Sequence, residues 1–152
     1  RGLPRLPGGY NQNLQILQTA EHVVILYEMM REARVVPLDG RPHLPAAVRL
    51  WHGDSRGRWE GDTLVVETAN FSPKNDFRGA GAGLRLVERF TRVDADTIDH
   101  QVTISDPTTF TRAWTAAIPL RRTDAPMYEY ACHEGNYGME GIMAGARADE
   151  RR

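Results

Sequence analysis

Between Arg58 and Leu120 the chain alternates apolar and polar residues in short runs divided by turn-forming clusters. The clearest run opens it, Arg58-Trp59-Glu60-Gly61-Asp62-Thr63-Leu64-Val65-Val66-Glu67-Thr68. A period of two marks strands with one face in a core and one in water, and several of them joined by short turns make an antiparallel meander. A meander leaves edges exposed unless it curls on itself or stacks, and either solution encloses an interior lined by alternate side chains. That interior is where a ligand would be sought first.

At 152 residues the chain is long enough for one core, and a single β-rich domain over 1–152 is expected. Net charge is -1 and neither sign is massed in a block, which gives a nucleic acid or an anionic membrane surface nothing to grip. No run approaches the roughly 20 apolar residues of a spanning helix, so membrane insertion is not expected. The single cysteine, Cys132, excludes an intramolecular disulfide and a multi-cysteine metal site. The chain begins at Arg1 rather than Met, and a segment upstream of it is expected.

Residues 1–13, rich in Gly and Pro, read as an irregular arm. Leu14–Gln18 and His22–Met30 follow as a strand pair. A helix over Glu21–Arg34 is the alternative, disfavoured by Val23-Val24-Ile25. Arg34–Leu38 is a short strand ended by Pro37 and the Asp39-Gly40 turn. Arg41–Gly57 reads as a long loop, with a helical turn over Pro45–Leu50, and loops of that length tend to be functional. Trp59–Thr68 is a hairpin on Glu60-Gly61-Asp62, and Ser72–Gly83 is a second long loop. Strands then follow over Leu84–Val93, Thr97–Ser105, Phe110–Leu120 and Met127–His133, with turns at 94–96 and 106–107. A short helix is expected around Tyr137–Ala144, in a tail, 138–152, that frays.

Strand parity then identifies polar residues that share a face with the core. Leu84, Leu86 and Phe90 carry Glu88 among them, and Ile98, Val102 and Ile104 carry His100. Trp114, Ala116, Ile118 and Leu120 align on the next strand with Arg112 at the rim, and Tyr128, Tyr130 and Cys132 alternate on the last. A cavity so lined offers Glu88 and His100 as an acid/base pair, with Tyr128 and Tyr130 as donors. Phe90, Arg112 and Trp114 would be ligand contacts. Burial and a neighbouring group would bring such pKa values toward neutrality. The alternative is structural, with Glu88 ion-paired to an arginine, His100 donating to a backbone carbonyl and Cys132 a small hydrophobe.

The loop holds a second constellation. His43 and Asp54 are candidate ligand contacts, and His43, His52 and Asp54 have the chemistry of a two-histidine, one-carboxylate metal site. Their spacing fits neither a helix nor a strand except for His52 and Asp54, so no metal or other cofactor is expected, and loop capping is the simpler role. Cys132 and His133 are adjacent and would face opposite ways on a strand, which opposes a nucleophilic dyad.

Leu38-Asp39-Gly40-Arg41-Pro42-His43, Gly53-Asp54-Ser55-Arg56-Gly57 running into the Arg58–Thr68 segment, Val87-Glu88-Arg89-Phe90 and Val102-Thr103-Ile104-Ser105-Asp106-Pro107 together resemble a widespread family of uncharacterised, often exported bacterial proteins. The likeness runs from about Leu14 to Asn136. It implies an exported, periplasmic or extracellular setting and a chain that in other members continues upstream, but no activity. Gly79–Gly83 stands where similar sequences tend to carry histidines, which weighs against a metal site built from that loop.

The fold expected is thus mainly β, a meander of seven to nine strands forming a barrel or strongly curved sheet, lipocalin-like in shape. The function expected is binding of a small apolar or aromatic molecule in the interior. A small cofactor-independent isomerase, cyclase or hydrolase using Glu88 and His100 is the alternative, and a structural envelope or assembly protein a third. Association of copies through exposed edges is compatible with each.

Overall fold

The computed structural model of the chain describes residues 3–8, 10–131 and 137–150. Among the described residues eight strands follow one another: β1 (Leu14–Gln18), β2 (His22–Tyr27), β3 (Ala33–Pro37), β4 (Asp54–Glu60), β5 (Thr63–Ala69), β6 (Arg85–Arg92), β7 (Thr97–Ser105) and β8 (Trp114–Arg121). A 3-10 turn, Met29–Arg31, lies between β2 and β3, and an α-helix, α1 (Gly138–Asp149), closes the order. Every paired strand is antiparallel to its neighbour in sequence.

The meander is divided into a three-stranded sheet, β1-β2-β3, and a five-stranded one, β4-β5-β6-β7-β8. Among the described residues the two sheets do not join into a closed barrel. Two junctions explain this. β3 and β4 are separated by residues 38–53 and meet through side chains rather than a ladder. Gly57 permits the meeting, because a Cβ there would come within 2.7 Å of Leu38 Cδ2 and 2.8 Å of Val36 Cγ1. Between β1 and β8 lies an opening of about 280 Å³ lined by Leu14, Ile16, Ile98 and Leu120.

The strand interiors follow the expected parity. Val23, Ile25 and Tyr27 of β2 face inward, as do Leu86, Glu88 and Phe90 of β6, and His100, Val102 and Ile104 of β7. On β8 it is Trp114, Ala116, Ile118 and Leu120 that pack against the core. Both sheets contribute to one cluster, which Leu3 of the arm and Phe71 complete. Burial at about 25 cal/mol per Å² of apolar surface makes this shared interior the main stabilising term.

Several segments differ from expectation. The Arg41–Gly57 loop is shorter, since Asp54–Gly57 pairs with β5. Its Pro45–Leu50 stretch contains one turn, closed by Val48 N donating to Pro45 O at 2.8 Å, and no helix. β8 begins at Trp114 rather than Phe110, because the Asp106 carboxylate and carbonyl take the Thr108, Thr109 and Phe110 amides and fold that segment into a turn. The strand expected from Met127 is absent over 127–131. There the Tyr128 amide donates to the Glu28 carboxylate instead of a ladder carbonyl. Cys132, His133 and the rest of 132–136 lie outside the described residues. The helix expected around Tyr137–Ala144 runs over Gly138–Asp149, and no residue of it is buried. The described residues of the arm, 3–8 and 10–13, form neither strand nor helix, and Leu3 is buried in the core.

Candidate functional site

A cavity of about 820 Å³ lies between the two sheets. Ile16, Ile25 and Tyr27 line it from β1 and β2, Glu88, Phe90 and His100 from β6 and β7, and Ile118 and Leu120 from β8. Arm residues Pro4, Arg5, Leu6 and Pro7 line it as well, with Arg121, Arg122 and Thr123. The strand walls are apolar because alternate positions are, with Glu88 and His100 placed among them by parity, and the arm and the chain leaving β8 add further polar groups, Asn11, Gln12 and Asn13 among them.

Glu88 and His100 meet there. Phe90 stands opposite His100 in the β6–β7 register and Glu88 opposite Val102, so Glu88 and His100 are diagonal neighbours on one face, within reach of a long side chain. His100 Nε2 lies 3.2 Å from Glu88 Oε1. The imidazole stacks on the Phe90 ring at 4.2 Å between centroids, 9° from parallel.

Arg34 of β3 reaches the other carboxylate oxygen, with Nη2 2.6 Å from Glu88 Oε2. Its Nε donates to Ser55 Oγ at 2.9 Å and Nη2 to Thr68 Oγ1 at 2.6 Å, while those hydroxyls lie 3.0 Å apart. Burial alone would raise the Glu88 carboxyl, but the Arg34 charge, aided by His100, outweighs it and holds the group down at about 2. Arg34 answers in kind: burial would lower it, the facing carboxylate reverses this, and its net shift is upward. The Tyr27 phenol is raised by burial.

This departs from the acid/base reading. Glu88 moves away from neutrality and remains a carboxylate across the physiological range, a counter-charge and acceptor rather than a proton donor. Its arginine is Arg34. Arg112 is exposed on the turn before β8 and does not line the cavity.

Other candidates also fall elsewhere. Tyr128 is 65% exposed, because without the strand from Met127 no pleat turns it inward. Tyr130 stacks on Tyr10 at 6.2 Å, outside the cavity. Trp114 sits at the opposite end of β8 from Leu120, against Phe77 at 6.4 Å and Phe110 at 6.1 Å. His43 Nδ1 lies 2.9 Å from Asp54 Oδ2, which also accepts the Leu44 amide, and Asp54 Oδ1 contacts Arg56 at 2.6 Å. That is loop capping, and neither residue lines the cavity. His52 turns to Glu32 at 2.8 Å, so the three proposed metal ligands do not converge. No cluster of three or more acidic, His or Cys side chains suited to a metal occurs among the described residues.

Sequence reasoning missed Tyr27, Arg34, Ser55, Thr68 and Arg5. Tyr27 was within reach of the same parity argument, being in phase with Val23 and Ile25. Arg34 was not, since both faces of Ala33-Arg34-Val35-Val36 carry an apolar residue. Ser55 and Thr68 matter only once Arg34 lies between them. Arg5 joins the site through the arm, with its guanidinium 4.9 Å over the Tyr27 ring and ion-paired to Glu32. Among the described residues, two buried donors of the cluster have no acceptor, Nη1 of Arg34 and Nε of Arg5.

A search of protein-family models, of curated proteins and of solved structures returns no match to this chain.

Proposed function

We propose that the protein binds a small, largely apolar molecule in the cavity between its two sheets. The observation that carries this is the cavity itself. Its volume of about 820 Å³ falls within the range of about 300–1,000 Å³ that suits a small ligand, and it combines apolar walls with a few convergent polar groups. Phe90, Ile118 and Ile25 supply contact area, while Glu88 is held fixed by Arg34 and His100 and so presents a preorganised polar floor.

Titration with the neutral fluorophore N-phenyl-1-naphthylamine tests it. The expected result is saturable enhancement at one site, weakened at least about tenfold by Ile118→Trp, whose indole fills the space. Non-saturable binding, or an Ile118→Trp variant that folds and binds like the parent, overturns the proposal.

The Glu88–His100 contact supports a second reading, in which Glu88 orients the imidazole and His100 moves a proton in a cofactor-independent isomerase, cyclase or hydrolase. Chemical conversion of a bound compound, lost in His100→Gln while binding is kept, would favour it over simple retention. An exported setting belongs to the proposal through the motif resemblance, and cell fractionation checks it.

A further inference from the structure

We infer that the molecule held in the cavity is an apolar body carrying a hydroxyl, a phenol or an alcohol, whose O–H donates to Nδ1 of His100. The inference rests on the binding reading above and names the chemistry of its ligand. Among the described residues, Tyr27, Glu88 and His100 are the polar side chains set among the apolar ones of the inner strand faces at the cavity. Arg34 engages the Tyr27 hydroxyl and one Glu88 oxygen. The other Glu88 oxygen faces His100 Nε2 at 3.2 Å. What remains for a ligand is the second ring nitrogen of His100.

The neighbours of that ring decide what its free nitrogen can do. An ionised carboxylate only accepts, so the nitrogen facing Glu88 carries the ring proton, and in a neutral imidazole the other nitrogen is then an acceptor. Charge balance favours the neutral ring: Arg34 already neutralises Glu88, and a second buried cation would have no counter-charge. Nδ1 has no hydrogen-bond partner among the described residues, and unlike Nη1 of Arg34 it is not sealed from solvent. His100 is only 6% exposed, with one nitrogen on Glu88 and a ring face on Phe90, and the surface left to it lines the cavity. An acceptor held in place on both sides is preorganised for a donor that enters that space. Ile25, Phe90, Ile118 and Leu120 then accept the apolar body. A ligand carboxylate or carbonyl oxygen has no proton to offer Nδ1, and a carboxylate would also lie near the Glu88 charge.

Displacement of N-phenyl-1-naphthylamine by 4-propylphenol and by its methyl ether, 4-propylanisole, at about pH 8, where an ordinary imidazole is neutral, tests this. Each displacement is converted with the probe's own dissociation constant on the protein in question. The ether is the more apolar, and without an acceptor in the wall it binds the better of the two. On the parent the phenol is expected to bind at least about fivefold more tightly than the ether, the scale of one hydrogen bond. His100→Phe, which can keep the stack on Phe90 but has no acceptor, should reverse that order. An ether equal to or better than the phenol on the parent overturns the inference and leaves pocket binding standing. A phenol preference that survives in folded His100→Phe also overturns it. Failure of the parent to bind the probe overturns the pocket reading together with it. Should His100→Phe not fold, long-range proton–nitrogen correlation spectra of the parent decide. The His100 Nδ1 resonance should be that of an unprotonated nitrogen and move upfield with the phenol but not with the ether. A protonated Nδ1, or one that the phenol leaves in place, overturns the inference.

Discussion

Arg34 brings a full charge into an interior that is otherwise apolar, and Glu88 makes the charge tolerable. A pair of this kind contributes little net stability but is expensive to break, because the survivor is left charged and buried. Arg34→Met and Glu88→Leu are each expected to cost about 3–5 kcal/mol in urea unfolding, and the double variant much less than their sum. The pair also sets an acid limb. Glu88 ordinarily titrates at 4.5 and is held at about 2 in the folded protein. Its folded value lies below its unfolded one, so the stabilisation is complete above about pH 4.5 and is lost as pH falls through about 2, roughly 3 kcal/mol in all. Asp106, whose carboxyl is lowered by the donating Thr108 hydroxyl and by the Thr108 and Gly81 amides, acts in the same direction. Urea midpoints measured over this range should fall with pH, and more steeply for the parent than for Glu88→Gln.

The elements are joined by contacts that no periodicity announces. Gly57 lets β3 lie against β4, and Val36, wholly buried and stiff at its branched Cβ, cannot retreat from a new methyl. Gly57→Ala is therefore expected to destabilise by about 1–3 kcal/mol in denaturant titration, although alanine is at ease in a strand backbone. Glu28, just beyond β2, is a buried carboxylate that sequence reasoning passed over. One of its oxygens accepts the Asn13 amide at 3.2 Å and the other the Tyr128 amide at 2.7 Å, so it ties the arm and the segment after β8 to the same sheet. Glu28→Ala should cost about 2 kcal/mol. It should also speed hydrogen exchange at the Asn13 and Tyr128 amides, with β5 and β6 unaffected.

Across the whole molecule the two sheets share one core, and the cavity between them is the space that their side chains do not fill. A ligand that enters only the folded state stabilises it by mass action. At about 100 times its dissociation constant the gain is about 2.7 kcal/mol, or roughly 5–10 °C in melting temperature for a chain of this length. Thermal unfolding followed by circular dichroism in the presence of N-phenyl-1-naphthylamine should show such a rise for the parent and little for Ile118→Trp. A rise of equal size in both would move the ligand out of this cavity.

Alternation by itself located β1 to β3 and β5 to β8 and the inward placing of Glu88, Phe90 and His100, while it left most of β4 in a loop, because side chains on a strand have only two directions and the apolar set selects one. What periodicity could not decide was how the sheets meet. Whether β3 pairs with β4, or β8 with β1, depends on loop paths and close approaches such as Gly57 against Val36, which join residues far apart in sequence. The same limit hid Arg34, since its role exists only where β3 crosses Ser55, Thr68 and Glu88. It also misplaced Tyr128, because Met127–Ala131 alternates as a strand does, yet its amide is taken by Glu28 and no neighbouring strand supplies a ladder. Local pattern thus settled which faces are buried, and tertiary contacts settled which charges those faces bring together.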